Sequence, residues 1–86
     1  MKHATTAALD RLEPLLAKLR TIGELSERSR GVFYRKSRAF LHFHEDPAGL
    51  FANIRSIDSD DFDRMPADSA AAQDALVAIA RARSRG

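Results

Sequence analysis

The sequence predicts a small α+β fold: an N-terminal helix, a three-stranded antiparallel meander and a C-terminal helix, with both helices on one face of the sheet. Three observations predict it. Leucines recur at three- and four-residue spacing near the start, the middle turns to aromatic and β-branched residues alternating with period two, and helical spacing returns from Ser69. With 86 residues the chain makes one domain, 1–86, because a chain this short buries only roughly 60 to 65% of its unfolded surface and cannot support two cores.

Leu9, Leu12, Leu16 and Leu19, widened by Leu15 and Ile22, form the stripe of an amphipathic helix. Gly23 is placed to end it as a C′ residue. Pro14 would lose a hydrogen bond in a helix interior, so the regular helix is expected to begin near Asp10, capped by that carboxylate with Glu13 as its N3 partner. A kinked helix starting at Thr5 or Thr6 is the alternative. The segments "VFYRK", "RAFLHFHE" and "LFANIRSI" read as strands, and the polar "GELSERSRG" before them as a loop. "DPAG" specifies a type I turn, with Asp46 at its first position, Pro47 at the second and Gly49 at the fourth. The turn at Lys36 and Ser37 lacks the Asn-Gly signal of a tight hairpin. In the last helix Ala72, Leu76, Ile79 and Ala80 share a face, Asp68 or Ser69 caps, and Arg81, Arg83 and Arg85 suit the negative C-terminal end. Residues 1–6 and 84–86 are expected to fray.

Strand alternation places Phe40, His42 and His44 on one side of the central strand and Ala39, Leu41 and Phe43 on the other. In the third strand Phe51, Asn53 and Arg55 oppose Leu50, Ala52 and Ile54. The fully apolar sets belong beneath the helices. The other side, carrying Phe40, His42, His44, Phe51, Asn53 and Arg55, is the candidate ligand or self-association face, since exposed rings among polar groups mark interaction surfaces. An isologous homodimer would cover it. The acidic segment Ile57 to Pro66, anchored by Phe62 and Met65, would cover it equally well by folding back.

Charge is segregated although the formal net is only +2. "RSRGVFYRKSR" holds five basic residues and no acid, and "DSDDFD" four aspartates and no base. Arg28, Arg30, Arg35, Lys36 and Arg38, interleaved with Phe33 and Tyr34, make a candidate nucleic-acid site by phosphate neutralisation and stacking. Asp61 or Asp63 is expected to pair with this hairpin. His42, His44 and Asp46 make the candidate metal site, because His-x-His on a strand aims two imidazoles the same way. A calcium loop at Asp58 fails, since its fifth position is Phe62 and no glutamate closes it. No cofactor is otherwise expected. Without cysteine there is no disulfide framework or thiol nucleophile, and no Gly-x-Ser-x-Gly elbow or phosphate-binding glycine loop occurs. His42 or His44 with Asp46 offers acid–base chemistry but no third partner, so a binding module is preferred to an enzyme. The N-terminus lacks a signal-peptide apolar stretch and no run spans a bilayer, so a soluble, cytoplasmic protein is expected.

The segment "GVFYRKSRAFLHFHEDPAGLFANIR", Gly31 to Arg55, resembles the signature of a group of short bacterial proteins of uncharacterised function that share an "FLHFHEDP-GLFA" core. The resemblance implies a common small α+β fold and carries no activity with it.

Overall fold

A computed structural model describes residues 2–85. The elements in chain order are β1 (Lys2–His3), α1 (Thr6–Leu19), β2 (Leu25–Ser29), β3 (Val32–Arg35), β4 (Arg38–Asp46), β5 (Gly49–Arg55), β6 (Phe62–Pro66) and α2 (Ala70–Arg85). The α+β class and the two helices stand as expected. The sheet is larger than a three-stranded meander: β2, β3, β4, β5 and β6 lie side by side in that order, all antiparallel, and β1 pairs with β4 through Lys2 opposite Glu45 and His3 opposite His44. Of the ends expected to fray, Met1 and Gly86 lie outside the described residues.

The helix starts at the earlier of the two positions considered. Thr5 is the N-cap, its Oγ1 accepting from the Ala8 N–H at 3.2 Å, while the Glu45 carboxylate accepts from the Thr5 N–H at 2.8 Å. Pro14 therefore sits in the helix interior. It is tolerated because Pro14 and Asp10 both face outward, so the carbonyl that loses its partner is left near water. Gly23 is not the C′ residue; α1 closes at Arg20, whose N–H reaches the Leu16 carbonyl, and the chain then turns through Thr21 and Ile22. In α2 the cap is Ser69, which accepts from the Ala72 N–H at 3.1 Å.

Leu12, Leu15, Leu16 and Leu19 of α1 and Leu76 and Ala80 of α2 are buried against Phe33, Leu41, Phe43, Leu50, Ala52 and Ile54 of the sheet. The radius of gyration, 11.7 Å, matches the roughly 12 Å expected of one core for this length. Both helices cover one side only.

Two strands lie where loops were read. β2, "LSERS", is an edge strand: Leu25 packs against the core, and ion pairs link this edge to α1, where Arg20 bridges Glu13 and Glu27 and Arg30 bridges Asp10 and Glu13. The two arginines, Arg20 first, hold the Glu13 carboxyl at a pKa of about 2. Gly31 closes the β2–β3 turn at φ +80, where a Cβ would meet Leu9 Cδ2 at 2.7 Å. β6 lies beside β5 with Phe51 opposite Pro66 and Arg55 opposite Phe62. The second half of the acidic segment, Phe62–Pro66, thus extends the sheet instead of folding over it.

The β3–β4 hairpin carries the main departure from alternation. Phe33 pairs with Leu41 but Tyr34 pairs with Ala39, so Phe40 is an extra residue on β4. This bulge rotates Phe40 into the core, where it is 4% exposed. Phe40 is therefore not part of the histidine face. Among the described residues no helix is long and apolar enough to cross a membrane.

Candidate functional site on the open sheet face

The side of the sheet without helices is built from register. One row across it is His3, His44, Phe51 and Pro66; the next is Val32, His42, Asn53 and Arg64. Arg55 and Phe62 form a third. His42, His44, Phe51, Asn53 and Arg55 thus share this face with Tyr34, the one of Phe33 and Tyr34 that alternation allows here, joined by Phe62 and Arg64 from β6, His3 from β1 and Arg28.

The rings are linked to guanidinium groups in tracks. His3 lies 6.1 Å from His42, His42 lies 5.4 Å from Phe62, and the Arg55 guanidinium carbon sits 4.7 Å above the Phe62 ring. In a second track His44 stacks on Phe51 at 5.9 Å and 19°, and Arg64 lies 3.8 Å over the same Phe51. Arg28 covers Tyr34 at 4.5 Å. Arginine favours such contacts because its planar, weakly hydrated cation meets the negative face of a ring.

His44 is buried, and among the described residues neither of its ring nitrogens has a hydrogen-bond partner; the same holds for Nδ1 of His42. Burial, then the Arg64 charge, holds His44 below the ordinary histidine range, with Asp46 acting the other way. His42 is lowered by burial first, then by His3 and His44. Both rings are therefore neutral at physiological pH and present nitrogen lone pairs and N–H groups without cationic charge.

His42, His44 and Asp46 are not assembled as a donor set. The Asp46 carboxylate is engaged by Arg64 and by the Ala48 N–H, and among the described residues no group of three or more His, Cys, Asp or Glu is placed to hold a metal ion. The basic run is divided. Arg28 reaches the open face, Arg30 turns to α1, Arg35 donates to the Ser84 carbonyl at the end of α2, Arg38 pairs with Asp60, and Lys36 occupies the hairpin turn at φ 58. The acid that meets the hairpin is thus Asp60; Asp63 pairs instead with Arg83.

Comparison with known proteins finds no matching family model, no similar curated protein and no similar solved structure. The arrangement of this face is what bears on function.

Proposed function

We propose that the protein is a non-enzymatic binding module whose open sheet face takes a single-stranded nucleic acid. The observation that carries the reading is the set of three rings, Tyr34, Phe51 and Phe62, each covered by an arginine, on a sheet side that no helix covers. Flat aromatic and guanidinium surfaces stack unpaired bases, while the same arginines neutralise phosphates. Asn53 and the neutral imidazole of His42 lie between the rings and supply hydrogen bonds to base edges.

Charge separates this partner from a second copy of the chain. A face-to-face homodimer would bring Arg28, Arg55 and Arg64 towards the same three cations, of which Asp46 and Asp60 offset two only in part, and this is unfavourable in a dehydrated interface. A polyanion relieves that repulsion. A metal-dependent role for His42 and His44 has less support, since their neighbouring carboxylate is already paired.

The test is fluorescence anisotropy with labelled single-stranded DNA and RNA across a salt series, with molecular mass measured on the same sample. Three participating arginines give an expected slope of log K against log salt of about −2, from roughly 0.7 per neutralised phosphate. Absence of binding at low salt refutes the reading. A dimer mass that Arg64→Ala leaves unchanged, with no binding, would return the face to self-association.

A further inference from the structure

A cavity of about 180 Å³, the liquid volume of roughly six waters, opens where the β3–β4 hairpin, the end of β5 and the last turn of α2 meet. Arg35, Arg38, Arg55 and Arg83 line it, with Ser56 and Ser59. Three of these arginines are held in place by backbone carbonyls: Arg35 Nε donates to Ser84 O at 2.7 Å, Arg55 Nε to Ala39 O at 2.8 Å, and Arg83 Nη1 to Arg55 O at 3.0 Å. Their planes are thus oriented before any ligand arrives.

Among the described residues, two carboxylates are paired with Arg38, Arg55 and Arg83. Asp60 bridges Arg38 at 2.5 Å and Arg55 at 3.8 Å, and Asp63 pairs with Arg83 at 2.9 Å. Asp60 is a weak counter-ion to displace, because its side chain is 87% exposed and Arg38 is 61% exposed, and exposed ion pairs contribute little. The negative end of α2 opposes an anion here, but Arg35 already occupies a terminal carbonyl. On the rim stands Ile57, 75% exposed, an apolar side chain beside a cationic cavity; Phe40 forms part of the wall.

We propose that this cavity is a binding site for a phosphomonoester dianion, with the arginines on the phosphate oxygens and Ile57 against the organic part of the ligand. Several planar guanidinium groups converging from different elements match the three terminal oxygens of a monoester better than a single carboxylate does. The phosphate has two sources of equal chemistry. One is a small phosphorylated molecule; the other is the terminal phosphate of a strand lying on the open face, to which Arg55 also belongs. The second source rests on the nucleic-acid reading, and the first does not.

The full chain is titrated calorimetrically with inorganic phosphate and with phenyl phosphate, and by anisotropy with one oligonucleotide carrying either a 5′-phosphate or a 5′-hydroxyl. Saturable phosphate binding is expected, tighter for the phenyl ester. Arg38→Gln, which removes an exposed cation engaged by Asp60, should weaken it roughly tenfold or more. Asp60→Asn should strengthen it, which a purely structural role for these residues would not produce. Preference for the 5′-phosphorylated strand assigns the ligand to a strand terminus. Equal binding of the two strands, with phosphate still bound, assigns it to a small molecule. Folded protein that binds neither phosphate nor phenyl phosphate, or binds them unchanged in both variants, overturns the site even if the oligonucleotide binds; phosphate binding without oligonucleotide binding refutes only the sheet-face reading.

Discussion

Replacing His44 with phenylalanine should stabilise the protein and reduce its sensitivity to acid below about pH 6.5. His44 is 4% exposed, and among the described residues neither ring nitrogen is hydrogen-bonded. An unpartnered buried polar group costs about 1 to 3 kcal/mol. The substitution keeps a ring stacked on Phe51 and removes both polar atoms, while the slightly larger ring gives part of the benefit back through tighter packing. A gain of about 1 kcal/mol is expected above pH 7. The pH dependence has a definite sign. His42 and His44 are both lowered below the ordinary value of 6.5, so on acidification the unfolded chain takes up protons before the folded one. Their contribution to stability is complete above about 6.5 and is lost as pH falls towards the folded values, at up to about 1.4 kcal/mol per pH unit for each ring. Wild type should therefore lose stability more steeply on acidification than His44→Phe, which keeps only the contribution of His42. Urea unfolding at a series of pH values on either side of 6.5 reads both quantities. A variant less stable than wild type throughout, or one with the wild-type slope, would refute the reasoning.

Phe40→Ala should cost about 3 to 5 kcal/mol in urea unfolding and leave the oligomeric state unchanged, because the ring belongs to the core; a small loss would mean that it does not. Phe62→Ala, at a half-buried ring on an edge strand, should weaken binding of a single strand by about 1 to 3 kcal/mol with the far-ultraviolet circular dichroism unchanged. Lys36→Gly should raise the midpoint of thermal unfolding, since a left-handed lysine costs about 1 to 2 kcal/mol that glycine avoids, less its own chain entropy.

Side-chain periodicity made the helices and the central strands legible. The leucine stripe of α1 and the alternation of Leu50, Ala52 and Ile54 against Phe51, Asn53 and Arg55 are local signals, and the buried set follows them. β2 and β6 gave no such signal. "LSERS" is held by Arg20 and Arg30 reaching across from α1 and from the turn, and "FDRMP" ends in a proline that only an edge strand accepts. Phe40 was misplaced for another reason. A bulge is a property of two paired strands, visible only once Tyr34 is known to face Ala39. Two faces of the histidine strand could be read from one strand, but the cationic cavity draws its arginines from positions 35, 38, 55 and 83, and that convergence is tertiary.

The bulge at Phe40 also gives β4 an indexing function. Residues after it count from the sheet's centre, and residues before it count from the hairpin, with one position absorbing the difference. Substitutions in this stretch change the chemistry of a given side, whereas deleting Phe40 would restore uninterrupted alternation, leave Ala39 opposite Tyr34 and Arg38 opposite Arg35, and remove one buried ring from the core. The extra residue thus lets one ring enter the core while both flanks of the strand keep their partners.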